Sequence, residues 1–260
     1  MRIAALILAL TACAAPTDAQ TTQPADQSSR GSVFMPRVAF GLSAAHLSGK
    51  DPRFVWDANI GTDIDVVDYG TGRIQFDANY QVVLGEEFHA FDPNQGNYMF
   101  GGFISRRFPG VEVGGVFHHK SRHLADRAKR PPVDWNMLGG RVFADASGRR
   151  ARFQTHADVF AVIERAFVDY EWEVEAGTRG TVRISPNVVF ITAGNVQILG
   201  VDGTRNRDWQ TGFRGEGGFR FEGSKGAMEF FMAGEREIDP YPLEFSTANR
   251  VTFGFRLVTR

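Results

Sequence analysis

From Phe54 onward, apolar and polar residues alternate with a period of two. Phe54, Trp56, Ala58, Ile60, Ile64 and Val66 share one parity, and Asp57, Asn59, Asp63 and Asp65 the other. Successive side chains of a strand point to opposite faces, so this spacing predicts a strand with one apolar and one polar face. The next stretch repeats it, with Ile74, Phe76, Ala78, Tyr80, Val82 and Leu84 against Gln75, Asp77, Asn79 and Gln81. Val168, Tyr170, Trp172 and Val174 oppose Asp169, Glu171 and Glu173, and Val251, Phe253, Phe255 and Leu257 oppose Arg250, Thr252 and Arg256. About twelve such strands are predicted, near 33–45, 54–68, 73–85, 96–108, 111–121, 134–144, 150–163, 167–177, 181–194, 208–222, 227–237 and 247–258. The expected fold class is all-β, an antiparallel transmembrane β-barrel.

The connections support a barrel because they alternate in length. Gly70 to Gly72, Pro109-Gly110, Ser147-Gly148, Gly177 to Gly180 and Gly223 to Gly226 read as tight turns. Longer links fall at 46–53, 86–95, 122–133, 195–207 and 238–246. Short periplasmic turns and long outer loops are the usual asymmetry of outer-membrane barrels, and this assignment puts both termini in the periplasm. Glu164 to Ala166 departs from it, being short where a long loop is due. A soluble sandwich or lipocalin-like barrel would alternate too, but would turn its apolar parity inward.

Composition narrows the choice. The net charge of −1 gives no support to nucleic-acid binding, which needs a basic surface. Beyond the first 15 residues no apolar run approaches the roughly 20 residues of a membrane-spanning helix. The start of the chain reads as a targeting signal, with Arg2 before an apolar run from Ile3 to Ala15. Thr17 to Ala19 suits cleavage before Gln20, while Leu10 to Cys13 resembles a lipobox that would place a lipid on Cys13. The expected organisation is a signal peptide over 1–19, a disordered lead-in over 20–32 and the barrel over 33–260. Destination and partners follow: the outer membrane, its assembly machinery, its lipids and lipopolysaccharide.

The polar parity mixes signs, with Arg150, Arg152, Arg214, Arg220, Arg250 and Arg256 against Asp57, Asp63, Asp77, Asp158, Asp169, Glu171, Glu173, Glu216 and Glu222. A barrel of this size encloses little space beyond its own side chains, and opposed charges close it further. A narrow or plugged lumen is therefore expected, in a barrel that is structural or meets envelope lipid. A narrow solute channel is a further alternative.

One segment could carry chemistry. His118, His119 and His123 stand within a few residues, with Ser121 between them. The run His119, Lys120, Ser121, Arg122, His123, Leu124, Ala125, Asp126 resembles a segment of a bacterial outer-membrane family of unassigned function, Tyr-His-Gln-Ser-Ser-His-Leu-Gly-Asp-like. Arg122 and Ala125 replace its Ser and Gly. Likeness runs on through Phe91 to Phe108 and Asp208 to Leu257, and implies a barrel but no activity. The chain ends in Val258-Thr259-Arg260, where barrels more often end on an aromatic residue.

A second resemblance is to outer-membrane phospholipase A, which has His-x-Ser on one strand and Trp-Asn opening the next. Here these are His119 and Ser121, then Trp135 and Asn136. The resemblance implies an acyl hydrolase with Ser121 as nucleophile, His119 as base and Asn136 orienting the ring. Strand parity puts all three on the lipid face. The phospholipase has Asn-Gly after its serine where this chain has Arg122 and His123, so the calcium that the resemblance brings lacks a matching site. The hydrolase is the alternative to a non-catalytic reading, in which Arg122, His123, Arg127, Lys129 and Arg130 form a headgroup-binding rim. No metal site is expected from the three histidines, because parity splits His118 from the others.

Overall fold

The computed structural model describes residues 31–125, 133–241 and 244–259. These form twelve strands: β1 (Val33–Leu47), β2 (Trp56–Asp68), β3 (Arg73–Gly85), β4 (Asp92–Phe108), β5 (Val111–Leu124), β6 (Val133–Ser147), β7 (Ala151–Ala166), β8 (Tyr170–Ser185), β9 (Val188–Val201), β10 (Gln210–Glu222), β11 (Gly226–Ile238) and β12 (Thr247–Thr259). Each pairs antiparallel with its neighbours in sequence, and β1 pairs with β12 to close the ring. Closure satisfies the backbone donors and acceptors along the ladders and removes the free edges of an open sheet.

The faces are inverted relative to a soluble protein. Phe40, Ile60, Phe76, Ile104, Leu138, Val159, Phe190, Phe219, Met232 and Phe253 all point outward and are exposed. The inward parity holds Asp65, Arg73, Glu112, Asp158, Glu173, Arg179, Arg214, Glu216 and Glu229, all buried. Soluble monomers rarely expose a contiguous apolar surface of this kind, whereas acyl chains solvate it. A direct consequence concerns Met232, at 54% exposure in the belt. Met232→Arg is expected to destabilise the barrel in phospholipid vesicles by about 2–4 kcal/mol, as charges near the bilayer midplane do. Urea titration of the two proteins checks this. A shift within about 0.5 kcal/mol, usual for a water-exposed site, would deny the belt its lipid contact.

The interior is tied together by ion pairs. Arg37 reaches Asp63 at 2.6 Å and Asp65 at 3.1 Å, and Arg73 bridges Asp65 at 3.1 Å and Glu112 at 3.0 Å. Along the inner wall Arg256 of β12 bridges Glu216 of β10 and its cross-strand neighbour Glu229 of β11, and Arg179 of β8 meets Glu229 at 2.6 Å. An apolar cluster of Phe103, Val116, Trp135, Met137, Phe160 and Tyr170 fills one side of the interior. A cavity of about 450 Å³ remains between these groups.

The links at the end bearing the termini are 69–72, 109–110, 148–150, 186–187 and 223–225, all tight. Those at the far end are longer, except 167–169 between β7 and β8. The link after β11 turns inward over the far mouth, where Asp239 and Pro240 are buried. Tyr170 donates to Asp239 at 2.6 Å, Arg207 joins Asp239 to Asp169 at 2.9 and 2.5 Å, and Gln95 donates to the Pro240 carbonyl at 3.0 Å.

Four expectations are corrected. The turn between β8 and β9 lies at Pro186-Asn187, not at Gly177 to Gly180, because proline ends the ladder while those glycines continue it. Gly177 is small for another reason: a Cβ there would meet the His156 ring at 2.5 Å. Glu164 to Ala166 belong to β7 and not to a link. Tyr170 points inward although Trp172 points outward, because the β8–β9 register slips by one residue between them. Phe54 precedes β2 and is buried with Leu47 and Val83 instead of facing outward.

Candidate functional site

The site expected from the sequence sits on two adjacent strands at the far end of the belt. β5 and β6 form a hairpin, and their register places His119 directly opposite Asn136 and Ser121 opposite Asp134. The inward neighbours hold the strands in place. His118 stacks on Phe160 at 5.1 Å, and Lys120 pairs with Glu173 at 2.9 Å. Trp135 and Met137 sit in the interior apolar cluster. Alternation then puts His119 and Asn136 on the outer wall, one step beyond Phe117 and Leu138.

His119 Nδ1 and Asn136 Oδ1 lie 2.8 Å apart. The imidazole stacks on Phe100 of β4, with ring centroids 4.5 Å apart and planes at 23°, which fixes the plane of the ring. The Asn136 amide continues the row, donating from Nδ2 to Glu164 Oε2 of β7 at 2.8 Å. Ser121 shares the parity of His119. It is 7% exposed, with Tyr98 as its cross-strand neighbour on β4. Tyr98 stacks on Tyr80 at 4.7 Å and meets the His123 ring edge-on at 5.5 Å.

The basic residues expected at a headgroup rim separate. His123 lies on the outer wall against Tyr98. Arg122 does not: it follows the inward parity of Lys120, donates to the Asp239 carbonyl and lies over Trp135. That is a correction, and the parity of its own strand carries the signal. Arg127, Lys129 and Arg130 lie outside the described residues, as do the expected signal segment, Cys13 and Gln20. Glu164 was not singled out from the sequence, which puts it in a short link; within β7, regular alternation from Asp158 and Phe160 would turn it inward.

A closed barrel of twelve antiparallel strands, with an apolar outer belt and a charged interior, is the architecture of bacterial outer-membrane proteins. No protein-family model matches the chain, and no curated protein matches its sequence. Solved structures do match. The outer membrane phospholipase A of Escherichia coli superposes with a TM-score of 0.53 at 11% identity, covering 87% of this chain and 98% of that one. The Salmonella typhi outer membrane phospholipase, solved as a dimer with bound calcium, gives 0.52 at 10%, covering 92% and 94%. An Escherichia coli variant with an active-site asparagine replaced by alanine gives 0.51 at 11%, covering 92% and 94%. At these identities the likeness establishes the fold.

Calcium does not fit the residues beside the serine. Calcium takes six to eight oxygen ligands, as a rule. Of the two residues that follow Ser121, Arg122 turns inward to the Asp239 carbonyl and His123 brings an imidazole, so neither side chain offers an oxygen. Among the described residues no three His, Cys, Asp or Glu side chains come together as a metal site.

Proposed function

We propose that this barrel is an outer-membrane hydrolase of lipid acyl esters, with Ser121 as nucleophile, His119 as general base and Asn136 as the group that orients the imidazole. The observation that carries this reading is the 2.8 Å contact between His119 Nδ1 and Asn136 Oδ1 on the outer wall, two residues from a serine of the same parity. An asparagine carbonyl facing Nδ1 holds the proton there and leaves Nε2 free to accept the serine proton. Ser121 Oγ then attacks the acyl carbonyl. His119 passes the proton to the departing alcohol oxygen, and water releases the fatty acid from the serine by the same steps. The row lies where a phospholipid or lipid A ester would meet the barrel wall. In the structural neighbours of known activity, the same fold carries a phospholipase with an active-site asparagine.

The test is release of fatty acid by the purified protein from vesicles of phospholipid and from lipopolysaccharide, with and without added calcium. Turnover of either ester supports the reading. Absence of turnover on both leaves a barrel that is structural or binds envelope lipid, through His123 and the basic residues Arg127, Lys129 and Arg130.

The reading places the protein in the outer membrane, with both termini on the periplasmic side, through a signal peptide over 1–19. An epitope inserted at Arg127 is expected to be accessible on intact cells and one at Gly70 to be hidden. The opposite pattern would invert the topology.

The lumen serves closure, not diffusion, on the strength of the Asp239-Pro240 segment and the ion pairs beneath it. Planar-bilayer recording is expected to show no large steady conductance. A stable open pore would instead favour the solute-channel reading.

A further inference from the structure

We infer that Glu164 is a positioning residue that fixes the tautomer of His119 through the Asn136 amide, extending the triad to a row of four; this rests on the hydrolase reading. The argument begins with a bulge. β6 and β7 pair regularly up to Met137 opposite Val162, and then Asn136 stands opposite Glu164, with Ile163 as the extra residue. Ile163 is exposed on the outer wall like Val159, so unbroken alternation would send Glu164 into the lumen. The extra residue keeps Glu164 outside and beside Asn136. β-Bulges commonly re-aim a side chain in this way next to functional sites.

The consequence for the histidine follows from donors and acceptors. A side-chain amide presents an oxygen at one end and an NH₂ at the other, and the two ends are nearly equal in shape. Facing His119 alone, the Asn136 amide could present either. An Nδ2 group turned to Nδ1 would donate to the lone pair there and hold the ring proton on Nε2, where it would block the uptake of a serine proton. A carboxylate only accepts. Glu164 Oε2, 2.8 Å from Asn136 Nδ2, therefore commits the NH₂ to itself. The oxygen is left for His119 Nδ1, at 2.8 Å. Nδ1 must then carry the proton and Nε2 the lone pair. Phe100, stacked on the imidazole, holds the ring plane, but it cannot select the tautomer, because a π face meets both forms alike.

The experiment reads the tautomer directly. The imidazole nitrogens of His119 are assigned by ¹⁵N NMR in detergent micelles, with His118→Gln and His123→Gln backgrounds to identify the signals. The wild-type protein is expected to show a single neutral form protonated on Nδ1. Glu164→Ala is expected to show a mixture of forms, and so is Glu164→Gln, whose amide can turn either its oxygen or its NH₂ towards Asn136. Heat-modifiable migration on gels confirms that each variant is a folded barrel. A wild-type His119 protonated on Nε2 would overturn the inference even if no variant folds. So would a Glu164→Ala protein with an unchanged single tautomer. In turnover, Glu164→Ala is expected to lower kcat by about tenfold with KM unchanged, in the range seen when an outer supporting partner is lost. If wild-type protein hydrolyses no lipid ester while the tautomer still shifts in Glu164→Ala, the hydrolase reading fails and the positioning role stands.

Discussion

Ser121→Ala is expected to lower fatty-acid release by about 10⁴–10⁶-fold, the loss that follows removal of a serine nucleophile from a serine–histidine constellation. Nothing else in the row can replace the hydroxyl. Its neighbours along the ladder are Tyr98 and Asp134, and neither is placed next to His119 by the register. His119→Ala should fall as far, because the serine is then left without a base. Asn136→Ala should fall less, by about 10–100-fold, since a neutral amide orients the ring without balancing the charge of an imidazolium. The three variants should leave KM near its wild-type value, because the groups act on the reacting atoms and not on the acyl chain. Ester turnover unchanged in Ser121→Ala would exclude this serine.

Arg256→Ala is expected to destabilise the folded barrel by about 3–5 kcal/mol, the range for a buried ion pair that loses one partner. Its guanidinium stands between two carboxylates, Glu216 and Glu229, each almost completely buried. Glu229 also receives Arg179 at 2.6 Å, so it keeps a partner. Glu216 keeps Arg214, at 3.3 Å. Glu229 also keeps Arg220, at 3.4 Å, so loss of Arg256 leaves Glu216 with one guanidinium and Glu229 with two. The double change Glu216→Gln with Arg256→Met removes the charges together and should recover most of the loss. Urea midpoints of the refolded proteins in micelles measure both. A single variant as stable as the wild type would mean that water in the adjoining cavity already screens these charges.

The barrel and its inside-out polarity are legible in the sequence because a strand repeats every two residues and each face has its own solvent. Tight turns could be read from Gly70, Pro109-Gly110 and Gly223. The β8–β9 turn could not, since Gly177 and Gly180 look like turn glycines until the His156 ring is seen against one of them. The larger loss came from bulges. One extra residue reverses which face every later side chain takes, and no pattern within a single strand reports it. Tyr170 and Glu164 both lie beside such slips. His119, Ser121 and Asn136 could be named from their spacing, but the distance between His119 and Asn136 depends on the register of two strands, which only pairing sets. Arg122 is the converse case. Its inward direction follows from Lys120 and His118 on the same strand, and a count of basic residues near a loop obscured it.

The His119–Asn136–Glu164 row lies on the outside of the wall and not within the lumen, and this sets the dimension in which the enzyme would meet its substrate. A lipid reaches such a site by lateral diffusion, so the effective concentration is a mole fraction in the surface and not a bulk molarity. Turnover in mixed micelles should thus follow the ratio of lipid to detergent. Doubling detergent at constant total lipid should slow the reaction, while diluting the whole sample with buffer that holds detergent only at its monomer concentration, which keeps the ratio, should leave the rate per enzyme unchanged.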